Sequence, residues 1–272
     1  MTRPRYSSTE VASALGVESV SFLGAGSFGD TWRSGDSAVK VICEDGYPPE
    51  RVAREVSGLH RVDSDYVVKL IDAGGVELGG ATRPALTFEY IEGGDLEAAL
   101  AADRRPAPED VDALLIGLLR GLRDMHAADS TVHRDVKPGN VALRGGDWAR
   151  PVLLDLGLAR STSEGTVTVY PGRLGTAPYM APEQIRGERA RKAADLFAVG
   201  VTVRHVATGQ HPFYDPTKRY TWDEALATLE VGATPLPSHL SEASKTVLDR
   251  LVSFEEFERG SASSNLKRME QI

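Results

Sequence analysis

The chain has 272 residues, 41% hydrophobic and 26% charged, proportions of a globular protein able to bury a core as one large domain or two lobes. Its net charge of −8 argues against a general nucleic-acid binder, and its single cysteine, Cys43, excludes an internal disulfide framework or a Cys/His zinc cluster and points to a reducing, cytoplasmic setting. No apolar run reaches the roughly 18 residues of a membrane span, and residues 1–17 lack the apolar stretch of a signal peptide.

Ser7-Ser8-Thr9-Glu10, ahead of Val11, Ala12, Ala14 and Leu15, reads as a capping box opening a short helix that Gly16 ends. Packing on the following domain is the favoured use of this helix. A remnant of a DNA-reading helix-turn-helix is the alternative, for which one helix is too little. Next, Gly24-Ala25-Gly26-Ser27-Phe28-Gly29 carries the G-x-G-x-x-G spacing, which dinucleotide-binding folds also use. Those folds need a helix directly after the glycines. Here Thr31-Trp32-Arg33, Ser34-Gly35-Asp36 and Ala38-Val39-Lys40-Val41-Ile42 read as strand, tight turn and strand. The glycines therefore sit at the bend of a hairpin, where backbone N–H groups can close over phosphates and Phe28 can shield them from water.

Lys40 lies at the centre of an apolar strand, and a buried ammonium needs partners. A helix starting after Pro48-Pro49 places Glu55 on its inward face with Val52, Val56 and Leu59; Glu50 is the competing acid. Tyr66–Ile71 and Ala85–Ile91 read as two more strands, completing a five-stranded sheet, and Glu92-Gly93-Gly94-Asp95-Leu96 reads as a flexible connector into helices. From Pro108 to Met125, Val111, Leu114, Leu115, Leu118, Leu122 and Met125 mark the buried face of a long helix. Val141–Leu143, a turn at Gly145-Gly146, and Val152–Leu154 read as a hairpin that delivers Asp155.

The densest polar constellation is His133-Arg134-Asp135-Val136-Lys137-Pro138-Gly139-Asn140. A carboxylate at Asp135, an amine two residues on and a carboxamide five residues on can converge on one transferring phosphoryl group and its metal ion. Asp155 follows Asp135 by twenty residues, and the run Gly175-Thr176-Ala177-Pro178-Tyr179-Met180-Ala181-Pro182-Glu183 comes after it. In this order and spacing, from about residue 20 to about residue 269, the chain resembles the catalytic domain of eukaryotic-type (Hanks-type) Ser/Thr protein kinases. The Gly-, Ala- and Arg-rich composition and the Val-Lys-Pro-Gly-Asn form of the loop resemble the bacterial members.

The resemblance implies an α+β, two-lobed kinase fold: an extension over residues 1–19, an N-terminal antiparallel sheet lobe with one helix over 20–91, and a mainly helical lobe over 92–272. It assigns Asp135 as base, Lys137 as stabiliser of the transferring group, and Lys40, paired with Glu55, as the holder of the α- and β-phosphates. Gly24, Ala25, Gly26, Ser27, Phe28, Gly29, Thr31, Ala38, Phe88, Glu89, Ile91, Asp95 and Leu143 would surround ATP. In that set Phe88 is the gatekeeper, Glu89 and Ile91 offer backbone groups to adenine, Asp95 lies near the ribose and Leu143 is the floor. Asn140 and Asp155 would hold Mg2+, or Mn2+ in its place. Thr176 would contact Asp135 and Lys137 and mark Ser/Thr acceptors. Arg134 and Arg160 would bind a phosphate placed by autophosphorylation at Thr168 or Thr166, with a homodimer allowing transfer in trans. Thr31 and Leu156 stand where the family usually has Val and Phe. The partners implied are ATP and a protein substrate with a Ser/Thr acceptor, with neither nucleic acid nor membrane. A pseudokinase is the competing reading, opposed by the intact Lys40, Asp135, Asn140 and Asp155. A small-molecule phosphotransferase is opposed by the 175–183 run.

Overall fold

The computed structural model describes residues 3–26, 28–128, 131–155 and 177–270, apart from the side chains of residues 54, 55 and 177. The chain divides into two compact units, Met1–Val62 with Val68–Tyr90, and Asp63–Val67 with Ile91–Ile272.

In the first unit the expected capping box is present. Glu10 N–H donates to Ser7 Oγ at 3.3 Å, and Ser7 N–H donates to the Glu10 carboxylate at 2.8 Å. This opens α1 (Ser8–Leu15), which Gly16 closes at φ 66°. The helix buries Val11 and Ala12, and Val11 joins Trp32, Val39, Val41, Leu78 and Ala85 in one apolar cluster, so the helix is a lid on the sheet. The sheet is antiparallel with β1 (Ser21–Ala25), β2 (Gly29–Ser34), β3 (Ser37–Ile42), β4 (Leu70–Leu78) and β5 (Ala81–Glu89) in the order β1-β2-β3-β5-β4. Between β3 and β4 runs α2 (Pro49–Leu59), opened by Pro48 and Pro49.

The strand expected at Tyr66–Ile71 is displaced. β4 begins at Leu70 and ends at Leu78, and a two-residue turn, Gly79-Gly80 at φ 63° and 77°, reverses the chain into β5. Val67 and Val68 are buried, but Val67 bridges Leu153 and Tyr66 O accepts the N–H of Leu153 at 2.9 Å, both within the second unit. For Val67 the apolar character reflects burial there and not a sheet face. β4 itself is an edge strand, largely exposed and interrupted by Gly74-Gly75, so it carries little hydrophobic signal.

The second unit contains α3 (Leu96–Ala101) and α4 (Pro108–Ala127), then the hairpin β6 (Val141–Leu143) and β7 (Pro151–Leu153). After these come α5 (Pro182–Ile185), α6 (Lys192–Thr208), α7 (Trp222–Val231), α8 (Glu242–Leu251) and α9 (Ala262–Glu270). The six apolar residues expected on one face of α4 are all fully buried, each worth about 1.5–3 kcal/mol of burial as an upper figure. α6 is buried on nearly all sides, through Leu196, Phe197, Val199, Val201, Val203 and Val206, and is the axis of this unit. Among the described residues no helix is long and apolar enough to cross a membrane.

The connector expected to be flexible is pinned. Leu143 N–H donates to Gly94 O at 2.8 Å and Gly145 N–H to Glu92 O at 2.6 Å. Gly93, at φ 122°, lies so close to the hairpin turn that a Cβ would sit 2.0 Å from Leu143 O. Glycine serves close approach at this point, and not slackness.

Candidate active site

The loop 133–140 is held from beneath by α6. Asp195, 1% exposed, accepts the N–H of His133 at 2.9 Å on Oδ2 and the N–H of Arg134 at 2.7 Å on Oδ1. Its Oδ2 also lies 2.8 Å from Nε2 of His126, at the end of α4. His133 is fully buried, and its Nε2 meets the carbonyl of Leu154 at 2.8 Å, which ties the loop to the strand that delivers Asp155. Two non-glycine residues here sit in the left-handed region, Arg134 at φ 68° and Asp155 at φ 52°. Such positions cost about 1–3 kcal/mol each and persist only where surrounding contacts fix them. Burial draws the Arg134 guanidinium below its usual pKa; Asp195 opposes the shift and Arg189 adds to it.

Within this frame Asp135, Lys137 and Asn140 come together. Lys137 Nζ donates to Asp135 Oδ2 at 2.8 Å, and Asn140 Nδ2 donates to the same oxygen at 2.9 Å and to the Asp135 carbonyl at 2.8 Å. Oδ2 is thus fixed by two donors. Oδ1 is buried and has no hydrogen-bond partner among the described residues, so the carboxylate keeps an acceptor for an incoming hydroxyl. Because the amide nitrogen of Asn140 faces Asp135, its Oδ1 is the atom left to ligate a cation. Asn140 Oδ1 and the Asp155 carboxylate are both oxygen donors, the ligand type that Mg2+ takes. Among the described residues no cluster of three His, Cys, Asp or Glu competes for a metal.

In the first unit the glycine run occupies the bend between β1 and β2. Gly26 N–H donates to Gly29 O at 2.7 Å, and Ala25 pairs with Asp30. Gly29 lies against β3, where a Cβ would be 2.0 Å from Val41 O, which explains glycine at that position. The Phe28 ring packs edge-on against Tyr47 at 5.6 Å. Thr31 pairs with Lys40 across β2 and β3, Ala38 pairs with Phe88 across β3 and β5, and Lys40 is 8% exposed. Phe88 is buried, and Glu89 N–H donates to Lys69 O at 3.1 Å.

In the second unit Ile91 and Leu143 are buried. Asp95 caps α3, its Oδ1 accepting the N–H of Ala98 at 2.7 Å. Glu55 lies on α2, with its side chain outside the described set. Ser27, Arg160, Thr166, Thr168 and Thr176 lie outside the described residues.

Arg259 and Glu183, 0% and 4% exposed, form a buried ion pair. Sequence reasoning did not single out His126. Its signal was a polar residue next to Met125 on the buried face of α4. Nor did it link Tyr179, quoted within the 175–183 run, to His205 and His211, where Tyr179 Oη lies 2.8 Å from His205 Nδ1 and His211 Nε2 lies 3.0 Å from Pro178 O. Nothing in their spacing distinguishes them.

Residues 17–269 match the protein kinase domain family. The chain is 30% identical over 190 residues to the probable serine/threonine-protein kinase PknB of Corynebacterium glutamicum, covering 68% of this chain and 29% of that protein. It is 32% identical over 203 residues to the probable serine/threonine-protein kinase PkwA of Thermomonospora curvata, covering 71% and 26%. This chain therefore spans under a third of the length of these two curated relatives. Among solved structures, the crystal structure of Rad53 1–466 in complex with AMP-PNP is similar with a TM-score of 0.72 at 24% identity, covering 92% of this chain and 64% of that one; this likeness establishes the two-lobed kinase fold. By the extent of the family match, and with serine/threonine-protein kinases of bacteria among its relatives, the chain belongs to the protein kinase domain family.

Proposed function

We propose that this domain is an ATP-dependent serine/threonine protein kinase that acts in the cytoplasm and is organised as an extension over 1–19, a sheet lobe over 20–91 and a helical lobe over 92–272. The observation that carries the reading is the Asp135 carboxylate. One oxygen is fixed by Lys137 and Asn140, and the other is buried and unpartnered among the described residues. A substrate Ser or Thr hydroxyl donating to Oδ1 would be held for in-line attack on the γ-phosphorus of ATP. As the oxygen–phosphorus bond forms, the bond from the γ-phosphorus to its bridging oxygen breaks and ADP leaves. The hydroxyl proton passes late to Asp135, because in a loose transition state positioning and charge stabilisation outweigh basicity. Lys137 supplies positive charge beside the transferring group.

Asn140 and Asp155 would hold Mg2+, or Mn2+, which when bound neutralises charge on the phosphates. Lys40, supported by Glu55, acts on the α- and β-phosphates, and backbone groups of Gly24, Ala25, Gly26, Ser27, Phe28 and Gly29 close over them. Thr31, Ala38, Phe88, Glu89, Ile91, Asp95 and Leu143 are assigned to the nucleoside. Activation is by autophosphorylation at Thr168 or Thr166, in trans within a transient homodimer, with Arg134 and Arg160 taking the phosphate and Thr176 selecting Ser/Thr acceptors. Intact mass before and after Mg-ATP, beside an Asp135→Asn variant, tests this. Phosphates on Ser or Thr of the parent and none on the variant are expected. A parent that stays unmodified and fails on generic protein substrates would favour a pseudokinase.

A further inference from the structure

Asp30 directly follows the last glycine of the loop and is fully buried. Among the described residues both of its hydrogen-bond donors belong to Arg5, in the segment ahead of α1. The Arg5 main-chain N–H donates to Oδ2 at 2.6 Å, and its Nη1 pairs with Oδ1. The other guanidinium nitrogen, Nη2, donates to Gly26 O at 3.0 Å. One side chain therefore links both arms of the hairpin: Gly26 on the arm entering the bend, and Asp30 on the arm leaving it.

The two arms differ in what else holds them. The leaving arm is locked by the contact of Gly29 with Val41 and by pairing along β3. The entering arm ends β1, an edge strand whose register with β2 shifts between Phe22 and Gly24. Among the described residues, chain neighbours aside, no atom lies within 4 Å of where a Cβ on Gly24 would be, and near Gly26 the one such atom is Gly29 O at 3.6 Å. The segment that presents Arg5 is itself anchored. The Tyr6 ring lies against Gly79, Ser7 caps α1, and Val11 is fully buried in the cluster beneath that helix.

The geometry points to Arg5 as a positioning residue that braces the glycine-rich loop and thereby sets its affinity for nucleotide. An ion pair between two exposed groups would do little. Here one partner is a fully buried carboxylate, so loss of the Arg5 side chain leaves Asp30 without its cation and with the Arg5 main-chain N–H on Oδ2 as its one remaining donor among the described residues, while Gly26 loses its tie to the leaving arm. The nucleotide half of this inference rests on the proposed kinase reading; the brace does not.

The test combines hydrogen exchange of the peptide spanning residues 22–31 with binding of Mg-AMP-PNP and steady-state kinetics, for the parent, Arg5→Ala and Arg5→Lys. In Arg5→Ala, loop amides exchange faster by roughly 5- to 30-fold while β3 and β5 keep their protection. The nucleotide Kd and the KM for ATP rise by a similar factor, with kcat at saturating ATP within about twofold of the parent. Arg5→Lys, which restores charge opposite Asp30 but lacks the planar fork that reaches Gly26, falls between the two. Unchanged exchange and affinity in Arg5→Ala would overturn the inference, as would equal loss of protection across the whole sheet. If the parent binds no nucleotide, the kinase reading fails while exchange still decides whether Arg5 braces the loop.

Discussion

Arg259 and Glu183 form a bidentate pair with no exposure of the arginine, Nη1 to Oε1 at 2.7 Å and Nη2 to Oε2 at 3.0 Å. The three remaining guanidinium hydrogens go to the carbonyls of Ser253, Phe254 and Ala193, at 2.8, 2.9 and 3.2 Å, and the group also lies over the Phe197 ring. Arg259→Leu should destabilise the fold by about 3–5 kcal/mol, because it leaves the Glu183 carboxylate buried without its cation. Glu183→Gln should cost less, since the amide keeps one acceptor. Denaturant unfolding of the three proteins decides it, and a loss below 1 kcal/mol for Arg259→Leu would contradict the account.

The two oxygens of Asp195 serve three groups: the N–H of His133, the N–H of Arg134 and the His126 ring. In Asp195→Asn one of those main-chain donors must face an NH2 group. Each buried donor left unmet costs about 1–3 kcal/mol, and release of the loop misplaces Asp135. Phosphoryl transfer should fall by about 100-fold or more, with ATP binding changed far less. An Asp195→Asn protein with parental kcat would remove the anchor from the mechanism.

His211 is held neutral by its surroundings. Its Nδ1 accepts the N–H of Phe213 at 3.3 Å and of Tyr214 at 3.1 Å, while Nε2 faces Pro178 O at 3.0 Å. Burial pulls its pKa down to about 3; neighbouring His205 reinforces the shift and the Pro178 carbonyl opposes it. Burial also lowers the pKa of His205, with Arg105 adding to the effect. The folded pKa of His211 lies below the unfolded value of about 6.5, so between them the unfolded chain binds a proton that the folded chain refuses. Stability is therefore full above about pH 6.5 and is lost as pH falls toward 3, by about 1.4 kcal/mol per pH unit from this group. Unfolding free energies of the parent and of His211→Gln at pH 7, 6, 5 and 4 should show a shallower slope in the variant.

Gly117 and Gly121 lie one turn apart on α4 and form the shallow groove that receives residue 66. A Cβ on Gly117 would stand 2.5 Å from Pro151 Cγ and 3.1 Å from the Tyr66 ring, and one on Gly121 would stand 3.0 Å from Tyr66 O. In an exposed helix, glycine to alanine gains up to about 1 kcal/mol. Here Gly117→Ala should lose about 1–3 kcal/mol through overpacking. A thermal midpoint at or above the parent's would show that the groove can widen.

The same groove explains a misplaced element. Tyr66-Val67-Val68 has the β-branched and aromatic character of a strand, but Tyr66 sits against Gly117 and Gly121 of α4, and Val67 is buried and bridges Leu153 of β7. Local pattern reports that a residue is buried without naming what buries it. β4 was hidden for the converse reason: an exposed edge strand carrying Gly74-Gly75 has no alternation to detect. The capping box at Ser7 and Glu10, the long face of α4 and the hairpin around the glycines were legible, because each depends on neighbours within a turn or a pleat.

By itself the sequence determined which groups could meet in the loop 133–140, since Asp135, Lys137 and Asn140 lie within six residues and the chain can bring them together locally. It also determined the succession of strands and helices wherever hydrophobic period marked them. The resemblance also marked Asp195–Gly200 as the helix that anchors this loop; only the tertiary structure decided which atoms hold it, the two oxygens of Asp195 on the N–H groups of His133 and Arg134, and which cation meets the buried Asp30. A single buried polar group has no period. Its partner is whichever donor the packing of distant elements brings within hydrogen-bond reach, and that is a property of the fold and not of any stretch of sequence.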